Sequence, residues 1–343
     1  MLTAAAVGAA IVPVPASAIE RWFSAGVYPG VQRTLTGASN LVPFPLSDAM
    51  GVLLIASWAA LVWRDARGTT WPKGLARAAA RTLSWCAVLY LCFLGAWGLN
   101  YRRVPLVQRL RFDTARVSPD RAREVAAAAV DQLNALHDAA HARPASAAEV
   151  DAGLAAAFAQ AQRDLGSTWS AVPARPKRSL LNPYFLRAGV DGMTDPFFLE
   201  TLVVSDLLPV ERPFVVAHEW AHLAGIADEG EANFAGWLTC LRGAPAHRYS
   251  AWLFLFSELT RSVRRDDWTA IAARLGPGPR EDLRAIAQRI QEHLNPRVAT
   301  AGWRVYDRYL KANRVASGTA SYAEVVKLVL GVEFDRSGAP LLR

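Results

Sequence analysis

The sequence predicts a mostly α-helical protein with transmembrane helices near the N-terminus, a mainly helical domain after them, and a small extended or β element inside that domain. The chain of 343 residues is 52% hydrophobic and has a mean hydropathy of +0.13, which is more apolar than an ordinary soluble enzyme. Its long apolar stretches lie before residue 100, and Ala-rich segments with helix-capping signals follow. The membrane region is therefore expected first.

The opening segment, Met1 to Ile19, has no charged side chain and ends in the small residues Ala16-Ser17-Ala18, as a signal-peptidase site does. Pro13 and Pro15 would interrupt a continuous helix, and the basic region that opens most signal peptides is missing. Residues 1–19 are expected to be either a first membrane span or a cleaved signal, with the span favoured.

Two stronger candidates for transmembrane helices are residues 41–63, where Asp48 is the only charged side chain, and residues 82–99, which contain none. The loop between them, residues 64–81, carries five basic side chains against the single acid Asp65. Because short basic loops stay in the cytoplasm, we expect a multi-pass protein of the cell (inner) membrane whose chain after Leu99 is extracytoplasmic. Four arginines between residues 102 and 111 oppose this placement, but the rule is weaker for long domains.

The sequence accordingly divides into a membrane region, residues 1–100, and one domain, residues 101–343. The net charge of +8 is spread without the aromatic-interleaved basic stripe of a nucleic-acid-binding protein, so we expect a lipid bilayer as partner and no nucleic acid. Cys86, Cys92 and Cys240 form neither a disulfide framework nor a metal-binding pair, and we interpret them as packing residues.

Most of the domain is predicted to be helical. Ser118 and Pro119 are typical of an N-cap and a first helical residue, and they open an Ala-rich helix that runs to His141. The segment from Val172 to Leu208 is rich in Pro, Gly and β-branched residues and predicts short strands or extended loops. The other predicted helices cover residues 147–165, 231–241, 248–263, 280–293, 298–310 and 322–330.

The stretch that carries recognisable chemistry is PFVVAHEWAHLAGIADEGEANF, from Pro213 to Phe234. On a helix, His218 and His222 lie on one face one turn apart, so they can offer two imidazole nitrogens to a single metal ion, as in HExxH zinc hydrolases. Glu219 is rotated away from the metal and can act as a general base toward water. Gly225 can end the helix and return the chain toward the metal.

A third protein ligand is expected from Asp228, Glu229 or Glu231. Asp228 and Glu231 have the spacing of the two residues of a capping box, which leaves Glu229 as the favoured ligand. Asp228 stays open because it falls six residues after His222, where zinc peptidases with an HExxHxxGxxH/D pattern place a ligand, and Glu231 also stays open. Asn233 is either a residue that orients a ligand or an amide on the helix surface.

One segment and three tyrosines are candidates for contacting a substrate. Residues 189–198, shortly before this helix, are a candidate edge strand that would hold a substrate backbone, or else a connecting loop. Tyr306, Tyr309 and Tyr322 are candidates by residue type alone for stabilising an oxyanion, although each is more typical of a packed aromatic side chain.

The remaining histidines are interpreted as solvated or isolated side chains. His137 and His141 repeat the spacing of four residues, but the residue after His137 is not a glutamate and no acid cluster with a turn-forming glycine follows. We therefore interpret this pair as a solvated helix face. His247 and His293 are isolated in the sequence and are interpreted in the same way.

These motifs resemble a bacterial membrane-protein family, the domain of unknown function 3810. The resemblance covers nearly the whole chain and lies in HEWAHLAGIADEGEANF, GVDGMTDPFFLET, WGLNYRRVPL, VYDRYLKAN and SYAEVV. It implies a membrane-anchored, zincin-like zinc metallopeptidase with no assigned substrate. The EGEAN segment is also similar to the ExxAD element of the CAAX prenyl protease clan, with Glu229 at the metal-binding acid and Asn233 replacing the aspartate, although those enzymes have a much longer insertion before it.

The sequence thus predicts a membrane-anchored zinc metalloendopeptidase acting on a peptide or protein. His218, His222 and Glu229 would bind Zn²⁺, and Glu219 would activate water. The alternative is a non-catalytic membrane-anchored binding or scaffold protein with a structural or degenerate zinc site, which would need a fourth protein ligand. No motif specifies the substrate or the oligomeric state.

Overall fold

The computed structural model describes residues 1–67, 70–142, 150–315 and 324–343. Helices dominate these residues, and a small three-stranded sheet lies among them. The predicted fold class, mostly α with membrane-type helices near the N-terminus and a short β element, is confirmed.

The first two helices are separated by a sharp bend. α1 covers Leu2–Ile11 and α2 covers Ala16–Asn40, and the two axes are bent by 112° at a break that contains Pro13 and Pro15. The turns Ile19–Val27 within α2 are π-helical. By length and composition, this bent pair can be a broken span or a re-entrant loop. That residues 1–19 form a membrane span and not a cleaved signal stays a prediction.

Two helices are long and apolar enough to cross a membrane: α3, Leu46–Arg67, and α4, Trp71–Ala96. The 22 residues of α3 give a helix of about 33 Å, close to the hydrocarbon thickness of about 30 Å. α3 begins later than predicted because prolines at positions 43 and 45 precede it. α4 begins earlier because the basic, Ala-rich residues before position 82 are also helical.

The domain helices follow the predicted segments with boundaries shifted by a few residues. α5 is the short helix Leu106–Arg109, and α6, Pro119–His141, begins as predicted with the Ser118 hydroxyl accepting from the Arg121 N–H at 3.2 Å. The others are α7 (Ala152–Asp164), α8 (Asn182–Ala188), α9 (Arg212–Leu223), α10 (Glu229–Leu241), α11 (Pro245–Leu259), α12 (Arg265–Ala272), α13 (Pro277–His293), α14 (Pro296–Ala312) and α15 (Glu324–Gly331). The sequence did not predict α5, α8 and α12. Residues 147–149 and 322–323 of the predicted helices lie outside the described residues.

The extended segment contains the strands β1 (Pro176–Lys177), β2 (Gly192–Asp195) and β3 (Glu200–Val203), in the spatial order β1-β3-β2. β1 is parallel to β3, and β2 is antiparallel to it, with Gly192 opposite Val203. β2 is therefore an edge strand within residues 189–198, as predicted, and it packs against α9.

A buried ion pair joins this sheet to the start of α3. Lys177 Nζ lies 2.6 Å from Glu200 Oε1, and neither side chain is accessible to solvent. Glu200 also accepts hydrogen bonds from the backbone N–H groups of Leu46 and Ser47, each at 2.9 Å. Because these N–H groups lack partners within α3, Glu200 caps the first turn of that helix and fixes it to β3.

α9 lies at the centre of the core. Its Trp220 is fully buried and donates its indole N–H to the carbonyl oxygen of Ala174 at 2.9 Å. The same buried cluster includes Phe23 and Tyr28 of α2, so the N-terminal helices and the domain share one core. Cys240 is buried here as a packing residue, whereas Cys86 and Cys92 are exposed on α4, so that interpretation is wrong for these two.

Candidate metal centre

The HExxH segment forms α9, and Gly225 ends it as predicted. The Ile226 N–H bonds to the Ala221 carbonyl at 3.1 Å, and the Gly225 N–H bonds to the His222 carbonyl at 2.9 Å. Gly225 has φ +76°, a left-handed conformation that glycine adopts without strain. This Schellman turn reverses the chain and leads it directly into the acidic residues at the start of α10.

Three ligand atoms meet beside α9. His218 Nε2 and His222 Nε2 are 3.2 Å apart, and Glu229 Oε2 lies 3.3 Å from the first and 3.4 Å from the second. A tetrahedral zinc ion with bonds of about 2.0 to 2.1 Å places its ligand atoms about 3.3 to 3.4 Å apart. Among the described residues, Glu229 Oε2 is buried without a hydrogen-bond partner. The donor set and its spacing therefore fit zinc.

The other two acids point elsewhere. Asp228 is the N-cap of α10, as predicted, because its carboxylate accepts from the Glu231 N–H at 3.1 Å. The Glu231 carboxylate accepts from the backbone N–H of Leu106 at 2.5 Å, so it does not complete the capping box. Glu229, the favoured ligand, is thus the acid that reaches both histidines, and its binding of a metal stays a prediction.

Hydrogen bonds fix two of the three candidate ligands. His222 Nδ1 lies 2.7 Å from the carbonyl oxygen of Ile226, so a neutral His222 ring carries its proton on Nδ1 and directs its Nε2 lone pair to the metal position. The hydroxyl of Tyr306, on α14, donates to Glu229 Oε1. The Tyr309 ring stacks on Tyr306 with centroids 5.9 Å apart. Both tyrosines thus lie near the centre, whereas Tyr322 is outside the described residues.

Glu219 is buried between α9 and the edge strand. Its Oε2 accepts from the Thr194 hydroxyl of β2 at 2.8 Å. A Cβ atom added at Gly192 would lie 2.7 Å from Glu219 Oε1, so β2 leaves space for this carboxylate. Sequence reasoning missed both residues, although each lies in the predicted edge strand.

α10 approaches α9 closely enough to deliver Glu229. A Cβ atom added at Gly236 would lie 2.9 Å from the backbone nitrogen of His218, so the two helices touch through their main chains. Asn233, one turn beyond Glu229, is buried, so its interpretation as a surface amide is wrong. The run of small residues in α10 was the available signal for this close packing.

Side chains from the N-terminal part of the chain cap the carbonyl end of α9. The Trp97 indole N–H donates to the His222 carbonyl at 2.9 Å, and the Tyr28 hydroxyl donates to the Leu223 carbonyl at 2.8 Å. Arg103 donates to the carbonyl of Gly225 at 2.8 Å. These bonds satisfy carbonyl groups that have no partner inside the helix.

The electrostatics of the centre suit a bound cation. Burial raises the pKa of Glu219, and the imidazoles of His218 and His222 offset part of that rise. Burial alone would raise the pKa of Glu229, but the neighbouring histidines hold it well below its usual range. Burial would lower the pKa of His222, whereas the Glu229 carboxylate raises it to about 9. The metal-free centre therefore holds a proton that a cation would replace.

Most of the chain matches the model of one protein family. The model of a family described as a protein of unknown function (DUF3810) matches residues 23–330. The chain belongs to the DUF3810 family. The DUF3810 match includes α9, β2, Glu229 and Tyr306, so the whole candidate centre lies inside it. No curated protein and no solved structure matches the chain. The resemblance to metallopeptidases stays a prediction.

In this DUF3810 protein, Asp282 lies beside the second histidine pair, His137 and His141. His141 Nε2 lies 3.2 Å from Asp282 Oδ1, and His137 Nε2 lies 3.8 Å from Asp282 Oδ2. The side chains of His137 and His141 are 24% and 39% exposed, so the pair is not simply a solvated face. Asp282 is on α13, far along the chain from α6.

The two isolated histidines differ from each other. His247 is buried, with Nε2 3.2 Å from Asp151 Oδ2 and Nδ1 accepting from the Ala244 N–H at 3.1 Å. The interpretation as a solvated side chain is therefore wrong for His247. His293 is 45% exposed and lies 3.7 Å from Asp206, as expected of a surface histidine.

Proposed function

We propose that the protein is a membrane-anchored zinc metallopeptidase that hydrolyses peptide bonds of a peptide or protein substrate. The observation that carries this proposal is the meeting of His218 Nε2, His222 Nε2 and Glu229 Oε2 at 3.2 to 3.4 Å, with Glu219 buried beside them. A zinc ion bound there supplies a Lewis acid that polarises a carbonyl group and lowers the pKa of water.

The protein's own residues handle the proton. Glu219 accepts it from the attacking water and returns it to the leaving amine. Burial raises the pKa of this carboxyl toward the range in which a general base works near neutral pH. The Thr194 hydroxyl, 2.8 Å from Oε2, orients the carboxylate, and Tyr306 orients Glu229 through its hydrogen bond to Oε1.

The outer edge of β2, the edge strand of the sheet in the described residues, is the proposed site for the substrate backbone. The Val204 N–H bonds to the Asp191 carbonyl at 3.0 Å, which makes this a hydrogen-bonded pair of the antiparallel ladder. Because such pairs alternate along the ladder, Gly192 and Thr194 direct their backbone N–H and C=O groups away from β3. An extended peptide can add to this edge as a further strand, beside Glu219.

The proposal places the metal centre on the extracytoplasmic side of the cell membrane. α3 begins beside β3, and α4 ends close to Trp97, which bonds to α9. The basic side chains of residues 64–81 lie toward the opposite ends of α3 and α4: Arg64, Arg67, Lys73, Arg77 and Arg81. If the loop is cytoplasmic, as the positive-inside rule requires, the domain lies across the membrane from it.

Metal analysis and a single substitution test the proposal. The purified protein is expected to contain stoichiometric zinc and to cleave members of a peptide library followed by mass spectrometry. Glu219→Gln should retain the zinc and lose at least about 100-fold in kcat, since general-base catalysis is removed. Glu124→Gln, at an exposed glutamate on α6, is the matched control and should behave as the wild type. Absence of stoichiometric zinc would sink the proposal.

A structural zinc site in a binding or scaffold protein is the second candidate. The burial of the ligands favours it, because the side chains of His218, His222 and Glu229 are only 12%, 8% and 4% exposed. An enzyme needs a coordination position open to water, whereas a structural site is closed. A Co²⁺-substituted protein whose absorption spectrum shifts on addition of a hydroxamate supports the enzyme. An unchanged spectrum supports the structural site.

A further inference from the structure

A second group of metal-binding side chains lies where α13 meets α6, away from the HExxH centre. His137 and His141 are one turn apart on α6, and Asp282 is near the start of α13. Their candidate ligand atoms all lie within 4.8 Å of one another. We propose that His137, His141 and Asp282 form a second, independent binding site for a divalent transition-metal ion such as Zn²⁺.

The hydrogen bonds of the two imidazoles prepare them for a metal. His141 Nδ1 lies 2.8 Å from the carbonyl oxygen of His137, and His137 Nδ1 lies 2.9 Å from Asp138 Oδ1. Both partners are acceptors, so each Nδ1 carries a proton and each neutral ring keeps its lone pair on Nε2. Such an acceptor behind the ring is the usual support of a metal-binding histidine.

Asp282 faces these two lone pairs. His141 Nε2 and Asp282 Oδ1 are 3.2 Å apart, and in the neutral tautomer both are acceptors, so a cation or a proton must lie between them. The hydroxyl of the fully buried Tyr249 donates a hydrogen bond to Asp282 Oδ2 and so fixes the orientation of the carboxylate. A metal ion satisfies all three ligand groups at once, whereas one proton satisfies a single pair.

The surroundings of this site hold one histidine ring in place and leave both histidines partly open to solvent. A Cβ atom added at Gly278 would lie 2.2 Å from His137 Nε2, so the Gly278 main chain packs against this ring and limits its rotation. The partial exposure of both histidines leaves coordination positions for water. Two imidazoles and one carboxylate suit Zn²⁺, Co²⁺ or Ni²⁺ better than Mg²⁺ or Ca²⁺, which prefer oxygen ligands.

The role of this ion would be structural. The residue after His137 is Asp138, whose carboxylate faces Nδ1 rather than the ion, so the group has no counterpart of Glu219. The ion would link α6 to α13, and Asn295 then leads from α13 into α14, which carries Tyr306. The site would therefore stabilise the α6–α13 pair next to α14, whose Tyr306 bonds to Glu229.

Zinc titration of the full-length, metal-free protein in detergent tests this proposal independently of the HExxH centre. In a His222→Ala background, in which that centre is disabled, isothermal titration calorimetry is expected to show about one remaining equivalent of Zn²⁺ per chain. Adding His141→Ala or His137→Gln should remove that equivalent. The matched control is His293→Ala, at a half-exposed histidine of α13 that also lies beside an aspartate.

A second measurement avoids relying on the His222→Ala fold. Elemental analysis of zinc-loaded, desalted protein should show about one equivalent less zinc for His141→Ala than for the wild type. This difference is expected whether or not the HExxH centre binds zinc. Unchanged stoichiometry in His141→Ala, or loss of binding in His293→Ala as well, would overturn the second site.

Discussion

The protein places the same kinds of side chain together at two positions. Each has two histidines four residues apart on one helix, a carboxylate from another helix, and a tyrosine hydroxyl that donates to that carboxylate. At the HExxH centre the ligand atoms are 3.2 to 3.4 Å apart and buried. At the His137 site the two distances to Asp282 are 3.2 and 3.8 Å, and the histidines are partly exposed.

The difference between the two positions comes from their supporting helices. α9 is surrounded by the core, and α10, with its small residues, packs against its backbone. α6 packs against α11 and α13, and its histidine pair lies between Tyr249 of α11 and Asp282 of α13, partly open to solvent. A centre with a second carboxylate, Glu219, beside its ligands suits catalysis, whereas a centre without such a carboxylate suits the linking of two helices.

The largest expected difference is in peptidase activity. His222→Ala should reduce kcat/KM by at least about 1000-fold, because several kcal/mol of transition-state stabilisation are lost with the metal. His141→Ala should reduce it by less than about tenfold, because that ion is not near the reacting atoms. Activity of both variants is measured on a peptide identified from the library, with circular dichroism confirming the fold. Equal losses would contradict the proposed division of roles.

The next contrast concerns two glycines, Gly236 and Gly278, that touch candidate metal-binding histidines. Gly236→Ala should destabilise the protein by about 1 to 3 kcal/mol, because its Cβ would meet the His218 backbone at 2.9 Å and force the helices apart. Gly278→Ala should cost less than about 1 kcal/mol, because its Cβ meets the end of a side chain that can turn away from it.

The midpoints of thermal unfolding in detergent compare these two glycine variants. Zinc titration should show in addition that Gly278→Ala weakens the second site, since the His137 ring must turn away from Asp282. Equal shifts of the two midpoints would show that the helix contact at Gly236 can relax, contrary to the close packing described above.

A smaller effect is expected at the two tyrosines. Tyr306→Phe should weaken zinc binding at the HExxH centre by about 10- to 100-fold, because the bond that orients Glu229 is lost. Tyr249→Phe should weaken the second site and also cost about 1 kcal/mol of stability, because its hydroxyl is part of the core. Competition with a chromophoric chelator measures both affinities. An unchanged affinity in Tyr306→Phe would mean that Glu229 is held by its helix alone.

The smallest expected effect is at Thr194, which should support the general base Glu219 and not the metal ligands. Thr194→Val should lower kcat by about tenfold while leaving the zinc content unchanged, since one hydrogen bond to Glu219 is worth about 1 to 1.5 kcal/mol. The corresponding change at the second site, Asp138→Asn, should lower zinc affinity there without affecting kcat. Loss of zinc in Thr194→Val would place this residue among the supports of the metal instead.

The sequence predicts the parts of both sites that depend on local spacing. The helix of His218 and His222, the stop at Gly225 and the cap at Asp228 each require residues within a few positions of one another. The partners that complete the sites are distant: Thr194 is 25 residues from Glu219, Tyr306 is 77 from Glu229, and Asp282 is 141 from His141. Their positions depend on tertiary packing, which local periodicity does not encode.

The same distinction explains the errors in the fold. The membrane helices carry strong apolar signals, so their existence was predictable, although prolines and Ala-rich flanks moved their ends. α8 and α12 are short, and helices of this length depend on their neighbours rather than on their own sequence. His247 could not be distinguished from a surface histidine because its partner, Asp151, is 96 residues away.

The caps on the carbonyl end of α9 also limit where this protein can act. Tyr28, Trp97 and Arg103 all precede residue 104, so a shortened chain without them would lose a second bond to the His222 carbonyl and leave the carbonyl groups of Leu223 and Gly225 unpaired, at about 1 to 3 kcal/mol for each of these two. Shedding the domain into solution would therefore weaken the support of α9 and of the candidate metal centre. Under the proposed function, the enzyme has no diffusible form, and its reach ends at substrates that approach the lipid surface.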